Sequence, residues 1–477
     1  ENAMDYMFLL VVLAVIIGYL IGKRSPHKII EQIQKSQQKP YFDSGSPELL
    51  QDIVSSLLQG QHLFLTGSAG TGKTYMVRNI ARDISRRQRE VVLAATTGIG
   101  ACQLREVTDL RLSAYIKGLG TLHSAAILPI SELPDTPERI ERGRQRFSNT
   151  SVVIIDEISM LDRLTFERFL TRLRPGIGIL AVGDFFQLPP IRTTEEGHPD
   201  FIFGSEFFAD FKLIQLQTIY RQAEHNFIVF LEDLRLGDPN WTFLDDVDHN
   251  FDKDFPVLCG TNNEVSSYNN NRIRGINHPP TQSIACPEIG HLGFTENRAL
   301  AWLTNNTRAE TRLILKCSMR VLCIQNHSGL VNGDLGTIIN ISPDRFEGTG
   351  LPLWVDVRFD RPDIGLTRMV PFKFEKKRVN PQNNQEESDF IVRQYALIPA
   401  YAITVHKSQG MTLDKANIDG NRINFASGQA YVAISRVRTK SGIMLQNANN
   451  LAALVHPSVK EYYQNAPQFQ RPQHYTD

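Results

Sequence analysis

The 477-residue chain has no excess of charge of either sign, with Lys plus Arg and Asp plus Glu both numbering 51. That balance excludes a generally basic surface, so a nucleic-acid partner would have to be held in a local groove. Cysteine is scarce. Cys102, Cys259, Cys286, Cys317 and Cys323 are odd in number and contain no C-x-x-C pair, which argues against a disulfide framework or a zinc site and for reduced thiols, as in a cytosolic compartment. What the chain does not lack is apolar residues: at 42% they can build real cores, and the length allows about three domains. It is globular.

The organising stretch is Gly67–Thr74, GSAGTGKT, which matches the phosphate-loop pattern G-x-x-x-x-G-K-[ST] in full. The apolar run HLFLT at 62–66 precedes it, and Met76, Ile80 and Ile84 follow at helical spacing. A loop between strand and helix can turn its backbone N–H groups around phosphates, with the helix N-terminus adding positive potential. Gly67, Ser68, Ala69, Gly70, Thr71, Gly72, Lys73 and Thr74 are therefore candidate ATP-binding residues. Lys73 would reach the β/γ-phosphates, and Thr74 would ligate Mg²⁺.

Further apolar runs of strand length lie at 91–96, 152–156, 177–184, 255–261, 401–405 and 442–446. Continuous apolar strands alternating with helical patterns predict parallel sheets covered on both faces, and there are too many for one sheet of ordinary size. Two α/β domains are expected. Short alternating strands with NGD and EGTG turns between about 329 and 380 predict a small β-barrel, SH3-like insertion. The irregular interval 105–150 carries the basic run RIERGRQR at 139–146, which reads as a solvated helix face. Residues 456–477, rich in Gln, Pro and Tyr, predict a mobile tail.

Asp156 and Glu157 end the apolar run VVIID, where a carboxylate is costly unless paired, and a phosphate-bound Mg²⁺ is its natural partner. Thr74 and Asp156 are thus the candidate metal ligands. Glu157 can orient the attacking water and accept its proton.

Eight ordered stretches then carry a resemblance: TGSAGTGKT, AATTGIGA (94–101), GTLHS (120–124), IIDEISMLDRLTFERFLTRLR (154–174), GDFFQLPPI from Gly183, IYRQ (219–222), AITVHKSQGMTL (402–413) and GQAYVAISRVR (428–438). Over about 47–446 the chain resembles the superfamily-one helicases, specifically the PIF-type branch related to RecD and the phage Dda helicase. The resemblance implies two RecA-like domains, 47–220 with a wedge insertion near 105–150, and 221–328 with 396–455, the latter interrupted by the SH3-like domain at 329–395. It implies that Gln187 senses the γ-phosphate, that Arg221 and Arg436 act as arginine fingers, and that Tyr220 stacks on adenine, with Gly410 also at the nucleotide. It implies that Thr96, Thr97, Thr121, His123, Ser124, Thr404, His406 and Ser408 hold a DNA strand by phosphate contacts that read no bases. The glutamine that usually precedes the phosphate loop is out of step, with Leu50 in its place, so adjacent Gln51 is taken as the adenine contact. Residues 102–119 separate GIGA from GTLHS, which leaves the wedge residue unassigned.

The implied activity is an ATP- and Mg²⁺-dependent 5′-to-3′ DNA helicase acting on single-stranded and forked DNA, with no obligate protein partner evident. The alternatives are a translocase or RNA/DNA remodeller that does not unwind, and a non-catalytic membrane tether for DNA. The tether is disfavoured by intact Lys73, Asp156, Glu157, Arg221 and Arg436. Finally, Tyr6–Gly22 carries no charge and is followed by Lys23, Arg24 and Lys28. A helix of that length rises about 26 Å, the short end of what spans a hydrocarbon core. It predicts a transmembrane helix over 4–22, a linker over 23–46, and a single-pass membrane protein whose helicase body faces the cytoplasm.

Overall fold

Local chemistry starts the first helix. Ser46 accepts the amide of Leu49 and Pro47 fills the first turn, so α1 (Pro47–Leu58) is capped and pre-set, and it buries Leu49, Ile53, Val54 and Leu57. The computed structural model describes residues 42–97, 100, 104, 115–129, 135–290, 294–325, 330, 333–379 and 386–470. After α1 the chain enters β1 (His62–Gly67), rounds the phosphate loop and starts α2 (Lys73–Arg86) behind Gly72, whose backbone is left-handed at φ 81°. Five more strands complete a parallel sheet: β2 (Glu90–Ala95), β3 (Ile116–Thr121), β4 (Thr150–Asp156), β5 (Gly178–Val182) and β6 (Lys212–Leu216), in the order β3-β2-β4-β5-β1-β6.

Side chains alternate between two buried faces. Leu63 and Leu65 of β1 join one core with Leu93 and Ile154, while Phe64 joins another with Ala94 and Ile155. Burial on both faces is why these strands read as continuous apolar runs. The helices α3 (Pro137–Arg146) and α4 (Arg163–Leu170) belong to this half. The basic run lies on α3, where Arg144 and Arg146 donate to the carbonyls of Thr171 and Ser124.

Helix α5 (His225–Leu236) opens the second half, followed by β7 (Val257–Cys259) and α6 (Asn262–Arg274), the latter started by a Thr261–Glu264 capping box. The chain then runs through antiparallel strands β8 (Thr281–Ile284) and β9 (Cys286–Ile289), helix α7 (Glu296–Asn306), and strands β10 (Arg312–Leu315), β11 (Arg320–Cys323), β12 (Leu335–Ile341), β13 (Val355–Phe359), β14 (Leu366–Met369), β15 (Phe372–Val379), β16 (Glu386–Gln394) and β17 (Leu397–Pro399). It returns with β18 (Ala402–Thr404), the short α8 (Val405–Ser408), β19 (Ala416–Asp419), α9 (Gln429–Ile434) and β20 (Ile443–Gln446). A second parallel sheet results, in the order β18-β7-β19-β20. The antiparallel sheets extend beyond the interval 329–395, because β14-β13-β12 continues into β11 and β17, and β15-β16 into β9.

The structure differs from four expectations, three of them within the described residues. The tail from 456 is not loose over its described part: α10 (Pro457–Asn465) buries Val459 and Tyr463 against the first sheet, and Leu213 at the sheet edge exchanges hydrogen bonds with Pro467 and Phe469. Val459, Tyr463 and Ala466 stand at helical spacing, a signal masked by the polar residues between them. The stretch 42–46 is not linker either, because Phe42 is buried and bridges Leu216. The wedge interval begins as sheet, since β3 pairs in parallel with β2; residues 105–114 and 130–134 of that interval lie outside the described residues.

The transmembrane helix over 4–22, with the single-pass membrane placement and the membrane as partner, does not stand. No helix among the described residues is long and apolar enough to cross a membrane. The run itself lies outside the described residues.

Candidate active site and nucleic-acid interface

The carboxyl ends of the first sheet's strands gather the phosphate loop, Asp156, Glu157 and Gln187 on one side of a cleft, and the second half supplies Arg221, Gln409, Tyr431 and Arg436 from the other. In the loop, Lys73 Nζ donates to the carbonyls of Gly67 (2.7 Å) and Ser68 (3.0 Å), which fixes the ammonium inside the turn. Gly70 is left-handed at φ 87°, and a Cβ there would sit 2.5 Å from Cβ of Arg221. Only glycine lets the second half approach so closely. The Ala69 amide donates to the Tyr431 hydroxyl at 2.7 Å, and the Ser68 hydroxyl donates to Glu232. Burial lowers the Lys73 pKa, opposed by the charges of Asp184 and Glu157.

Asp156 ends β4 nearly buried, accepts the Glu157 amide at 2.8 Å, and forms no ion pair among the described residues. Burial raises its pKa. A buried carboxylate with no ion pair among the described residues, within reach of the Lys73 charge and of the start of α2 where Thr74 is exposed, suits a hard divalent ion completed by phosphate oxygens. Glu157 has left-handed backbone, φ 55° and ψ 40°, a strained conformation for a non-glycine residue. Thr96 holds it there, donating its hydroxyl to the Glu157 carbonyl at 2.7 Å. Burial, and then the neighbouring Asp156 charge, push the Glu157 pKa up to about 7, a value suited to accepting a proton near neutrality.

Arg436 is buried at 2% exposure; its Nε donates to the Val432 carbonyl and its Nη2 to Ser435 Oγ, both at 2.8 Å. Arg221 Nη1 donates to the Ser435 carbonyl at 3.3 Å. Neither guanidinium pairs with a carboxylate among the described residues. Burial and the Arg221 charge bring the Arg436 pKa down to about 9, and burial lowers that of Arg221. Two cations without an acid, facing a phosphate loop, leave room for an anion.

Tyr220 is exposed beside the loop, its amide donating to the Gly70 carbonyl at 2.8 Å and its hydroxyl to Asp43. Gln51 is not near. Its side chain accepts from Arg87 Nη2 at 2.5 Å, and Arg87 caps the far end of α2, about 20 Å along the helix from the loop. The helical phase of α1 turns Gln51 away, so it is removed as an adenine contact. Gly410 stands in a left-handed turn at φ 77° just past α8.

The strand-holding candidates fall into two similar turns. At the end of edge strand β3, Thr121 Oγ1 accepts the Ser124 amide (3.3 Å); at the end of edge strand β18, Thr404 Oγ1 accepts the Lys407 amide (3.1 Å). Each threonine is followed two residues on by a half-buried histidine, His123 or His406, whose pKa burial lowers. Thr97 Oγ1 accepts the Gly100 amide. Ser408 departs from expectation. It is fully buried and donates to the Val405 carbonyl at 2.8 Å, so its hydroxyl closes the turn and cannot reach a strand.

Residues 49–251 match the AAA domain family. The chain is 30% identical over 444 residues to the ATP-dependent DNA helicase PIF1 of Homo sapiens, covering 88% of this chain and 64% of that protein. It is 29% identical over 439 residues to the ATP-dependent DNA helicase Pif1 of Bdellovibrio bacteriovorus, covering 88% and 91%. The crystal structure of the Candida albicans Pif1 helicase superposes with a TM-score of 0.65 at 29% identity, covering 88% and 99%. The chain is similar to the Pif1 helicases in sequence and in fold over most of its length. The Bacteroides Pif1 structure, at 23% identity and a TM-score of 0.67, shares the fold. The chain spans 64% of the length of its Homo sapiens and Emericella nidulans relatives.

Against this Pif1-type frame, sequence reasoning passed over several residues. Gln409 lies inside the motif TVHKSQG, and its Nε2 donates to Glu157 Oε2 (3.2 Å) and to Gln187 Oε1 (3.1 Å), crossing the cleft. The signal was its place between Ser408 and Gly410. Asp43 accepts from Tyr220, Thr218 and the Gly45 amide; it sits in a stretch read as linker. Tyr463 on α10 bonds Thr66 Oγ1 at 2.8 Å and accepts the Phe185 amide at 3.1 Å, which ties the chain's end to the strand before the phosphate loop.

Proposed function

We propose that this chain is an ATP-hydrolysing DNA helicase that moves 5′ to 3′ on single-stranded DNA and unwinds duplex. The observation that carries the reading is the convergence across one cleft of Lys73, Glu157 and Gln187 from the first half with Arg221 and Arg436 from the second, the last of these a buried cation with no ion pair among the described residues. The names of its homologues, ATP-dependent DNA helicases, support the same class.

In this reading the loop amides and Lys73 bind the β- and γ-phosphates, and Tyr220 stacks on the base. Thr74 and Asp156 would hold Mg²⁺, which supplies charge neutralisation at the phosphates. Glu157 takes a proton from water as its oxygen attacks the γ-phosphorus and the bond to the β-phosphate oxygen breaks. Arg221 and Arg436 meet the charge spreading over the phosphoryl oxygens, where a planar, delocalised cation is well matched. Thr97, His123, Ser124 and His406 line the track; Thr96, Thr121, Thr404 and Ser408 shape its turns. Neutral donors and backbone amides grip phosphates without reading sequence. Hydrolysis alternates the cleft between closed and open, and the two turns alternate their grip.

Partial duplexes with a 5′ or a 3′ single-stranded tail test this. Strand separation is expected from 5′ tails only, requires ATP, and weakens as salt rises because phosphates dominate binding. Separation only from 3′ tails would overturn the polarity, and strand-stimulated ATP hydrolysis without separation from either would favour a translocase.

A further inference from the structure

Gln409 stands where the two halves of the proposed machinery touch. A primary amide nitrogen carries two hydrogens, and here one points at Glu157 Oε2 and the other at Gln187 Oε1, at 3.2 and 3.1 Å. Both acceptors belong to the first half, at the ends of β4 and beyond β5. Gln409 belongs to the second, and its backbone is set by the turn that Thr404 caps: its amide donates to the His406 carbonyl at 3.2 Å, and its carbonyl accepts from Arg308. The side chain that touches the hydrolytic carboxylate is thus an extension of the turn bearing His406.

A cavity of about 90 Å³ lies beside this contact, lined by Thr97, Gly100, Glu157, Met160, His406, Lys407 and Gln409. It puts the carboxylate in the same hollow as side chains assigned to the strand track from both halves. It also gives the Gln409 amide somewhere to go. While the amide is engaged, Glu157 Oε2 and Gln187 Oε1 are both occupied as acceptors. That lone pair of each is closed to an attacking water while Glu157 Oε1 stays open, so the contact acts by fixing the orientation of the two side chains and not by removing their capacity to accept.

We infer that Gln409 is a positioning residue that holds Glu157 and Gln187 in a restrained state while the track is empty, and that a single strand lodged against His406 and Lys407 shifts the turn and withdraws the amide. The inference rests on Glu157 being the base and Gln187 the γ-phosphate contact. It goes beyond that reading by making the strand's presence a condition for freeing both. Loss of the amide should therefore act in an unusual direction, raising the rate where nothing is bound.

The test is steady-state ATP hydrolysis by the full chain, without DNA and with saturating oligo-dT, for the parent, Gln409→Met and Gln409→Asn, with thermal unfolding of each. Methionine keeps the length and loses both donors; asparagine keeps the amide but falls one methylene short. Both are expected to raise the DNA-free rate threefold or more, with the DNA-saturated rate within twofold of the parent, so that the stimulation ratio collapses. A gain in rate cannot come from a damaged fold. An unchanged or lowered DNA-free rate in variants that unfold at the parental temperature would overturn the inference, as would an intact stimulation ratio. A parent that hydrolyses ATP with no response to DNA would sink the functional reading itself.

Discussion

Two buried arginine clusters lie on the same cleft and differ in one respect. Arg235 of α5 grips Asp184 with two hydrogen bonds of 2.9 Å, stacks its guanidinium 4.4 Å over Phe186, and is as buried as its partner. Arg436 is equally buried, yet its hydrogen bonds go to a carbonyl and a hydroxyl, and it feels the charge of Arg221, which lowers its pKa, and that of Glu157, which raises it without forming an ion pair. A buried charge costs several kcal/mol unless it is paired. The first cluster meets that cost internally and serves as a fastening between the halves. The second has no ion pair among the described residues, burial and Arg221 bring the Arg436 pKa down to about 9, and in the proposed function a polyphosphate would supply the counter-charge. Position and burial do not separate a fastened arginine from an unpaired one; the presence of an acid does.

The contrast can be broken at either end. Arg436→Ala should lower the DNA-saturated turnover of ATP by about a thousandfold or more, with nucleotide affinity less affected, because a finger acts mainly on the transition state. A loss confined to binding, measured with a fluorescent nucleotide, would contradict it. Asp184→Ala should instead act on the fold. Leaving Arg235 buried and unpaired should remove about 3–5 kcal/mol of unfolding free energy, read by urea denaturation, and a variant as stable as the parent would show that the fastening is dispensable.

Glu157 sharpens the comparison by pH. With its pKa raised to about 7, kcat/KM for ATP should rise with pH to a midpoint near that value as the base ionises. The sign for stability is opposite. A carboxyl whose folded pKa lies above its ordinary 4.5 contributes stability that is complete below 4.5 and is lost as pH climbs through about 7. Glu157→Gln should keep ATP binding, stop turnover and flatten that part of the stability profile; near-parental hydrolysis would remove Glu157 as the base. The smallest expected effect is at Tyr463. Tyr463→Phe keeps the ring stacked on Phe186 at 4.8 Å and loses the hydroxyl's bonds to Thr66 and the Phe185 amide and its long bond to Asp184 at 3.4 Å. It should cost about 1 kcal/mol, seen as a modest fall in Tm with catalysis little changed.

The sequence by itself determined the parts whose chemistry is local. A phosphate loop needs glycine at Gly70 and Gly72 because the backbone there is left-handed, and it needs Lys73 one residue later, so the pattern is written in adjacent letters. The buried strands were legible for a related reason: a parallel strand covered on both faces must be apolar throughout. The tertiary structure alone decided what depends on phase and distant partners. Gln51 and the phosphate loop are close in sequence, yet the turn of α1 sends Gln51 to Arg87. Ser408 is inside the motif but its hydroxyl faces inward to Val405. Tyr463 and Phe469 are aromatics in a polar tail until the edge at Leu213 and the cores around Phe64 and Phe42 give them something to bury against. Which arginine is fastened and which is free is the sharpest case, because Asp184 lies 51 residues from Arg235 in the chain and only folding brings that carboxylate to one guanidinium and withholds it from the other.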